Sequence, residues 1–219
     1  NPMPVIKHAL HDMKAIFKKD PYSKEDYLET LSMLFTVFKL ARTKGFLALE
    51  SHIENPQESE IFKQFPKFSE NHHAVTFLCD YLRIISLGSE NPHEMEALMD
   101  EEIDTMVAEK NHSSHAVQTM ADGMPALGIV AAVLGVIKTM GSISEPPEVL
   151  GKLIGGALVG TFLGVWISYG YLAPMASAIG ARAEAEVKYY QCIKVALLAF
   201  LQGVAPQVAV EFARKTLTH

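Results

Sequence analysis

The sequence ADGMPALGIVAAVLGVIKTM (121–140) is followed by GSISEPPEVLGK (141–152) and LIGGALVGTFLGVWISYGYLAP (153–174). No charged residue occurs from 123 to 137 or from 153 to 181. The second apolar run is longer than the roughly 20 residues that carry a helix across a bilayer. In the first run, Lys138 can extend its ammonium group to the interface, which lets the helix continue to Met140. With a polar turn from 141 to 151 between them, the two runs predict a transmembrane helical hairpin.

Small residues fall on one face of each predicted span. The first face holds Pro125, Gly128, Ala132, Gly135 and Thr139, and the second holds Ala157, Thr161, Gly164 and Ser168, with a four-spaced ridge of Gly156, Gly160 and Gly164. Such faces let helix backbones approach closely in lipid, so plain helix packing explains them. A second interpretation is a wet path, because Thr161 adds a hydroxyl, and prolines free backbone carbonyls that neighbours or water must satisfy. Pro125 and Pro174 stand at the start of one span and the end of the other.

The composition separates the chain into two halves of different character. It has 219 residues, of which 49% are hydrophobic and 20% charged, with a net charge of -6 and a mean hydropathy of +0.14. The apolar excess lies in the second half, and the first half resembles an acidic, water-soluble helical domain. An acidic balance without clustered Lys and Arg argues against a nucleic-acid partner. Cys79 and Cys192 each lie alone in a helical pattern, which predicts two small buried hydrophobes.

Helix signals follow one another along the rest of the chain. The apolar spacing and the capping residues predict helices over Pro4–Lys19, Lys24–Lys44 with Ser23 and Asp26 as cap, a helix begun by Asn55-Pro56-Gln57-Glu58, Asn71–Leu87 ended by Gly88, and an acidic helix from Pro92 to about Lys110 begun by Asn91. No convincing strand pattern occurs. We therefore predict an all-α integral membrane protein with a cytoplasmic helical domain over 1–120, the transmembrane hairpin over 121–178 and a cytoplasmic C-terminal helix over 179–219.

The positive charges orient the hairpin. Both flanking regions lie on the same side of a two-span hairpin by parity, and both carry lysine or arginine: Lys7, Lys14, Lys18, Lys19, Arg182, Lys188 and Lys194. The positive-inside rule then places both ends in the cytoplasm. Lys138 and Lys152 flank the outer loop and weaken this count.

Motifs for catalysis or metal binding are scarce. The pairs His72–His73 and His112 with His115 lack a third ligand, so solvated histidines are the favoured interpretation. The carboxylates from Glu94 to Asp104 lack the glycine turn of an EF-hand, which favours a solvated helix face over a calcium site. No nucleophile elbow, P-loop or dinucleotide fingerprint occurs. The sequence therefore predicts neither an enzyme nor a metal or cofactor site.

Several longer stretches are more specific. They are LESHIENPQESEIF (49–62), EALMDEEID (96–104), MPALGIVAAVLGVI (124–137), PPEVLGKLI (146–154), ALVGTFLGVWISYGYLAP (157–174) and VAVEFARKTL (208–217). With these stretches in this order, the chain resembles the MotA family of flagellar motor stator proteins over nearly its whole length. The family has four spanning helices, and the resemblance covers the last two, so we expect the first two to be absent from this chain.

The resemblance implies a function and its residues. Family subunits form a homo-oligomeric ring around a dimer of the partner MotB, whose spanning helix carries the ion-accepting aspartate. In the family, the prolines matching Pro125 and Pro174 couple proton passage to conformational change, and the residue matching Thr161 lines the ion path. An alanine at Ala132 is typical of members that conduct H+ and not Na+. The residues matching Arg42 and Glu50 engage charged groups of the rotor's switch complex.

The expected function is thus a stator subunit of the bacterial inner membrane that couples proton flow to torque. Two alternatives remain at this point. One is an energiser like TolQ or ExbB, from the same superfamily, and the other is a membrane scaffold that conducts no ion.

Overall fold

The computed structural model describes residues 3–17, 22–89 and 91–217, and all regular structure in these residues is helical. The α-helices are α1 (Met3–Ala15), α2 (Lys24–Lys44), α3 (Glu50–Glu54), α4 (Glu60–Lys63), α5 (Pro66–Glu70), α6 (His72–Ser86), α7 (Pro92–Met140), α8 (Pro147–Ile167), α9 (Ala173–Leu201) and α10 (Pro206–Lys215). A 3-10 turn covers Phe46–Leu49 and a π-helical segment covers Ser168–Leu172. The all-α prediction is confirmed.

Packing divides the chain into two compact units. The hairpin unit comprises residues 1–19 and 108–183, and the helical unit comprises 20–107 and 184–219. The predicted domains meet at 120 and 178 because these are the expected membrane boundaries, whereas the two units reflect how closely the backbone segments pack. Residues 108–120 thus pack with the hairpin, and the boundaries relative to the membrane stay predictions.

The helical unit is built on large buried side chains. Its core combines residues of α2, α6, α9 and the short helices between α2 and α6, including Phe38, Phe62, Leu78 and Tyr189. Local capping explains where the helices begin: the Asp26 carboxylate accepts hydrogen bonds from the backbone N–H and the hydroxyl of Ser23 at 2.7 and 2.6 Å. These two bonds satisfy groups at the start of α2 that lack helical partners.

Two helix boundaries in the first half were predicted wrongly. Helix α1 ends at Ala15, although its apolar pattern predicted an end at Lys19, which lies outside the described residues. Residues 55–58 form a turn closed by the Glu58 N–H donating to the Asn55 carbonyl at 3.1 Å. Helix α4 instead begins at Glu60, because the Ser59 hydroxyl accepts from the Phe62 N–H. Serine caps helices as well as asparagine does, and here it outcompetes the earlier signal.

The hairpin unit contains the apolar spans and a second, smaller core. Helix α7 continues without interruption to Met140, so the acidic segment that begins at Pro92 and the first apolar span belong to one helix. The turn to α8 covers only residues 141–146, because Pro147 already starts the second helix as an N1 proline. The small core joins residues of α1, α7, the π-helical segment and α9, and its members are Ala9, Ala116, Val117, Ala121, Leu172, Ala176 and Ile179.

Candidate functional site: the apolar hairpin and an exposed charged pair

The two spans of the hairpin meet through glycine faces. A Cβ added to Gly128 would lie 2.8 Å from the Gly160 carbonyl oxygen, and one on Gly164 would lie 2.7 Å from the Met124 carbonyl oxygen. A Cβ on Gly135 would collide with the side chain of Ala157. Because the atoms met are largely backbone, these glycines allow a helix approach that any side chain would prevent.

The predicted glycine ridge meets the first span along part of its length. A Cβ on Gly160 would meet Ala131 at 2.9 Å, but one on Gly156 would meet no atom within 4 Å. The ridge of Gly156, Gly160 and Gly164 thus touches the first span at its last two members only. Gly135 is instead contacted by Ala157, which belongs to the neighbouring face of small residues on the second span.

Hydroxyl groups donate to backbone carbonyls at the same face. The Thr161 hydroxyl lies 3.4 Å from the Gly128 carbonyl of the other span, which makes a long hydrogen bond. The Thr139 hydroxyl donates instead to Gly135 in its own helix, at 2.9 Å. Thr161, predicted to line an ion path, therefore faces the first span, where its side chain is partly buried.

Pro125 lies inside α7 and removes one backbone donor from it. Without an N–H, Pro125 cannot bond the Ala121 carbonyl one turn earlier. The Ser168 hydroxyl of the second span donates to that carbonyl at 2.6 Å, and the Ser168 side chain is buried. The carbonyl that lacks a donor because of Pro125 in the first span therefore receives a hydrogen bond from the second span.

Pro174 follows the widened turn of the second span. In the π-helical segment Ser168–Leu172, the Ala173 N–H donates to the Ser168 carbonyl five residues earlier. Such wide turns occur mostly as isolated π-bulges, frequently at functional sites. Pro174 itself is exposed and Pro125 is half-buried. Their predicted roles in gating remain predictions.

Charged side chains lie at the ends of the apolar segments. Asp122 accepts a hydrogen bond from the Gln118 amide at 2.8 Å, and Lys152 pairs with Glu148 at 3.0 Å near the turn. Lys138 is exposed. Ala132, predicted to distinguish the conducted ion, is half-buried, and its backbone nitrogen lies 3.6 Å from the Cβ position of Gly160. Ala132 therefore belongs to the packed face and offers no ligand atom.

The opposite faces of both spans are apolar and unburied. Helices long and apolar enough to cross a membrane run through Pro92–Met140 and Pro147–Leu201, and only 11% of the apolar window in each is buried. Large exposed side chains on these windows include Leu134, Leu158, Phe162 and Trp166. Exposed apolar patches of this size mark a membrane or protein interface.

Arg42 and Glu50 flank a sharp bend in the helical unit. Arg42 lies in the last turn of α2 and Glu50 begins α3, with Gly45 between them at φ +82°, a conformation that favours glycine. The Arg42 guanidinium donates to the Gly203 carbonyl at 3.4 Å. Both side chains are exposed, and within the described residues no ion pair joins them. Leu47 between them is 78% exposed. The arrangement presents opposite charges and one apolar side chain to the exterior.

The remaining candidates from the sequence have ordinary surroundings. His72, His73, His112 and His115 are exposed, and the described residues contain no group of three or more metal-binding side chains. Cys79 and Cys192 are free and buried, as predicted. Burial raises the pKa of the Cys79 thiol to about 12 and that of Cys192 to about 11. Both thiols are therefore neutral at physiological pH.

Comparison with known proteins gives the hairpin its context. A model of the MotA/TolQ/ExbB proton channel family matches residues 69–192, which is more than half of the chain. This chain belongs to the MotA/TolQ/ExbB proton channel family. A second family model, Motility protein A N-terminal, matches residues 1–45.

Similar proteins include a motility protein and a chemotaxis protein. Motility protein A of Escherichia coli (strain K12) is 42% identical over 212 residues, which cover 97% of this chain and 72% of the relative. Chemotaxis protein LafT of Vibrio parahaemolyticus is 34% identical over 98% of this chain and 75% of its own length. Both extend beyond the stretch that this chain matches.

Solved structures of the family share the fold. The C. jejuni MotAB structure aligns with a TM-score of 0.82 over 100% of this chain and 77% of that chain, at 22% identity. The flagellar MotAB stator complex from Bacillus subtilis aligns with a TM-score of 0.68 over 96% of this chain and 74% of that chain, at 25% identity. The helical hairpin with its helical domain is therefore the fold of this family.

Sequence reasoning missed the bond between Ser168 and Ala121 and counted Ser168 only as a small residue. One signal was available: Pro125 leaves the Ala121 carbonyl without its helical donor, and Ser168 is a hydroxyl inside the other span. Which hydroxyl of the second span supplies the bond depends on the register of the two helices, and only the structure gives that register.

Proposed function

We infer that this chain is a stator subunit of the bacterial flagellar motor, a membrane protein and not an enzyme. The carrying observation is its 42% identity, over 97% of the chain, to Motility protein A of Escherichia coli. With a MotB-like partner, the subunit forms a proton channel that couples proton flow to torque on the rotor. The match of residues 1–45 to a Motility protein A model favours this function over a TolQ- or ExbB-like energiser.

The hairpin supports a channel whose proton acceptor belongs to another chain. No carboxylate lies between 123 and 137 or between 153 and 181. A proton crossing the membrane here requires an ionisable group or a water chain, and intramembrane carboxylates commonly supply it. We assign that group to the partner's spanning helix. The unburied apolar faces of the spans are available to lipid, to the partner and to further copies in a ring.

Proton flux tests this function directly. The full-length protein co-expressed with its MotB-like partner should acidify the cytoplasm of cells placed in acidic medium, and the full-length protein alone should not. A non-conducting scaffold gives equal acidification in the two cultures, which would refute the proposal.

The conducted ion is H+ and not Na+. Dehydrated sodium needs several oxygen ligands, and the face formed by Ala132 and Thr161 offers one hydroxyl, already directed at Gly128. Rotation in sodium-free medium that stops on addition of a proton uncoupler is the expected result. Rotation that follows external sodium and survives the uncoupler would overturn this assignment.

Arg42 and Glu50 form the rotor-facing charge pair. Both are exposed and unpaired with each other, as charges kept for a partner should be. Rim charges set encounter and register, so a single reversal weakens an interface without abolishing it. Arg42→Glu should reduce torque in the full-length motor, and a compensating reversal on the rotor should restore part of it. Lys44→Glu, an equal charge change in the same helical turn, is the matched control and should have the smaller effect.

Both ends of this chain lie in the cytoplasm, and the spans lie in the inner membrane. The lysines and arginines upstream and downstream of the hairpin support this topology. A cysteine placed at exposed Ser144, in the turn of the hairpin, should react with an impermeant maleimide in whole cells. One placed at exposed Ser51 should react only after lysis, and the reverse pattern would exclude this orientation.

A further inference from the structure

Among the described residues of the hairpin unit, the bond between Ser168 and Ala121 is the shortest hydroxyl bond between helices. The Ser114 hydroxyl also donates to another helix, to the Ala176 carbonyl at 2.9 Å, but that bond is only partly buried. The donor and acceptor residues of the Ser168 bond are 1% and 0% exposed, and the 2.6 Å distance is short. Thr139, the other buried hydroxyl of the spans, bonds within its own helix. Thr161 crosses to the other span but at 3.4 Å and partly buried. Of these three hydroxyls, Ser168 alone makes a short bond between the spans.

The acceptor has a specific need for this bond. Pro125 has no N–H, so the Ala121 carbonyl lacks the donor that every ordinary helix residue provides. Water is scarce among apolar helices, and an unsatisfied carbonyl there is costly. The Ser168 hydroxyl therefore stabilises the particular bend and register at which it reaches Ala121.

The donor stands at the irregular turn of the second span. Ser168 opens the π-helical segment, and its backbone carbonyl takes the i+5 hydrogen bond from Ala173. Pro174 follows at the next position. One residue thus joins the carbonyl freed by Pro125 to the widened turn that precedes Pro174, so the two proline regions cannot rearrange independently while the bond is present.

We propose that Ser168 is a positioning residue that couples the two proline regions during proton-driven motion. The proposal rests on the stator function above. Movement at either proline must break the bond to Ala121, and its re-formation returns both spans to the same register. Without the hydroxyl, the proline regions move separately, protons still pass, and less of their passage is converted into torque.

The experiment uses the full-length protein with its partner in cells. Ser168→Ala removes the hydroxyl with little change in volume, and Thr139→Val is the matched control because it removes a hydroxyl that bonds only its own helix. Rotation speed and proton flux are both measured and divided to give speed per unit of flux. Interhelical hydrogen bonds in membranes are individually modest, so Ser168→Ala should lower this ratio by roughly three- to tenfold. Thr139→Val should leave it within about twofold, below the effect of one such bond.

A structural role alone gives a different result. A variant that merely folds less well lowers flux and speed together through the number of working units, and the ratio stays unchanged. An unchanged ratio in Ser168→Ala would therefore overturn the proposal. If the unsubstituted pair conducts no protons, the stator function fails, and that outcome is visible before any variant is compared.

A double-mutant cycle decides the physical basis without any flux measurement. Pro125→Ala restores the N–H that bonds Ala121, so the hydroxyl becomes redundant. Loss of the hydroxyl should then weaken the hairpin against dodecyl sulfate in the Pro125 protein and have little effect in the Pro125→Ala protein. Equal effects in both backgrounds would show that the serine does not serve the carbonyl freed by the proline.

Discussion

The two units of this protein hold their helices together with opposite kinds of side chain. The helical unit buries Phe38, Phe62 and Tyr189 among many aliphatic side chains. Its aromatic rings include a stacked pair, Phe38 and Phe200, with centroids 4.5 Å apart. The hairpin buries Gly128, Gly164 and Ala157 and turns its large residues outward. In water, burying large apolar side chains drives association. In lipid that drive is absent, and close backbone contact with interhelical hydrogen bonds replaces it.

Truncation of a large side chain should give the largest effect, and only in the helical unit. Phe38 is fully buried and stacks on Phe200 with ring centroids 4.5 Å apart. Phe38→Ala should lower the free energy of unfolding by about 3–5 kcal/mol. Hydrogen exchange of the α2 amides measures it, with exposed Leu47→Ala as control at within about 0.5 kcal/mol. A loss below that of the control would mean that this core is not the stabilising element.

Enlargement of a small side chain should have the second-largest effect, and only in the hairpin. The Cβ of Gly128→Ala would meet the Gly160 carbonyl oxygen at 2.8 Å, so the spans must separate. We expect a loss of about 1–3 kcal/mol in dodecyl sulfate unfolding. Gly156→Ala meets open space and is the matched control. Equal losses from Gly128→Ala and Gly156→Ala would show that close glycine contact does not stabilise the hairpin.

Removing a lysine charge should destabilise the helical unit more than the hairpin, and this difference should be smaller than the two effects above. The Lys194 side chain is 12% exposed, with Nζ 2.5 Å from the Asp100 carboxylate, whereas Lys152 is 76% exposed beside Glu148. Lys194→Met should destabilise the helical unit by about 1 kcal/mol, since Asp100 remains half-exposed and hydrated. Lys152→Met should change the stability of the hairpin by nearly zero. Urea and dodecyl sulfate unfolding measure the two units, and a larger loss from Lys152→Met would contradict the expectation.

The buried thiols of the helical unit should leave its stability unchanged at neutral pH and should lower its stability measurably in alkali. Burial raises the pKa of Cys79 to about 12 and of Cys192 to about 11, against about 8.5 for a thiol in the unfolded chain. The unfolded chain therefore releases these protons first, and stability falls as the pH rises from about 8.5 towards those values. At pH 8 both thiols should resist a maleimide that readily modifies Ser51→Cys. Modification of Cys79 at the rate of that exposed control would show that it is accessible.

Local signals explain which parts of the fold could be predicted. The absence of charge over residues 123–137 and 153–181 sufficed to predict two long apolar helices. The Ser23–Asp26 cap located the start of α2 for a similar reason, since both partners lie within one helical turn. The start at Asn55 failed because Ser59 offered an equivalent cap four residues later, and the choice depends on burial of Ile61 and Phe62.

The candidate site depended on information that the sequence lacks. Small-residue faces predicted that the spans pack closely, but Gly156 and Gly160 lie one turn apart, and only one of them touches the first span. The partner of the Ala121 carbonyl lies 47 residues away. Its identity follows from helix register, which no local pattern specifies. For Arg42 and Glu50, exposure supports the role that the resemblance implies, and their partner on the rotor remains to be tested.

The π-helical segment Ser168–Leu172 affects which deletions this span can accept during evolution. The wide turn accommodates one residue more than an ordinary turn, so deleting one residue after Ser168 within it would restore an α-helical turn and keep every later side chain in phase. Ala176 and Ile179 would stay in the small core, whereas deletion of Met175 in the regular helix that follows would turn them away from it by about 100°. Among descendants of this protein, a deletion of three nucleotides at this site should therefore be less damaging than one in the regular helix that follows Pro174, and a similar deletion in the turn at 141–146 would also leave both helices in phase with their own cores.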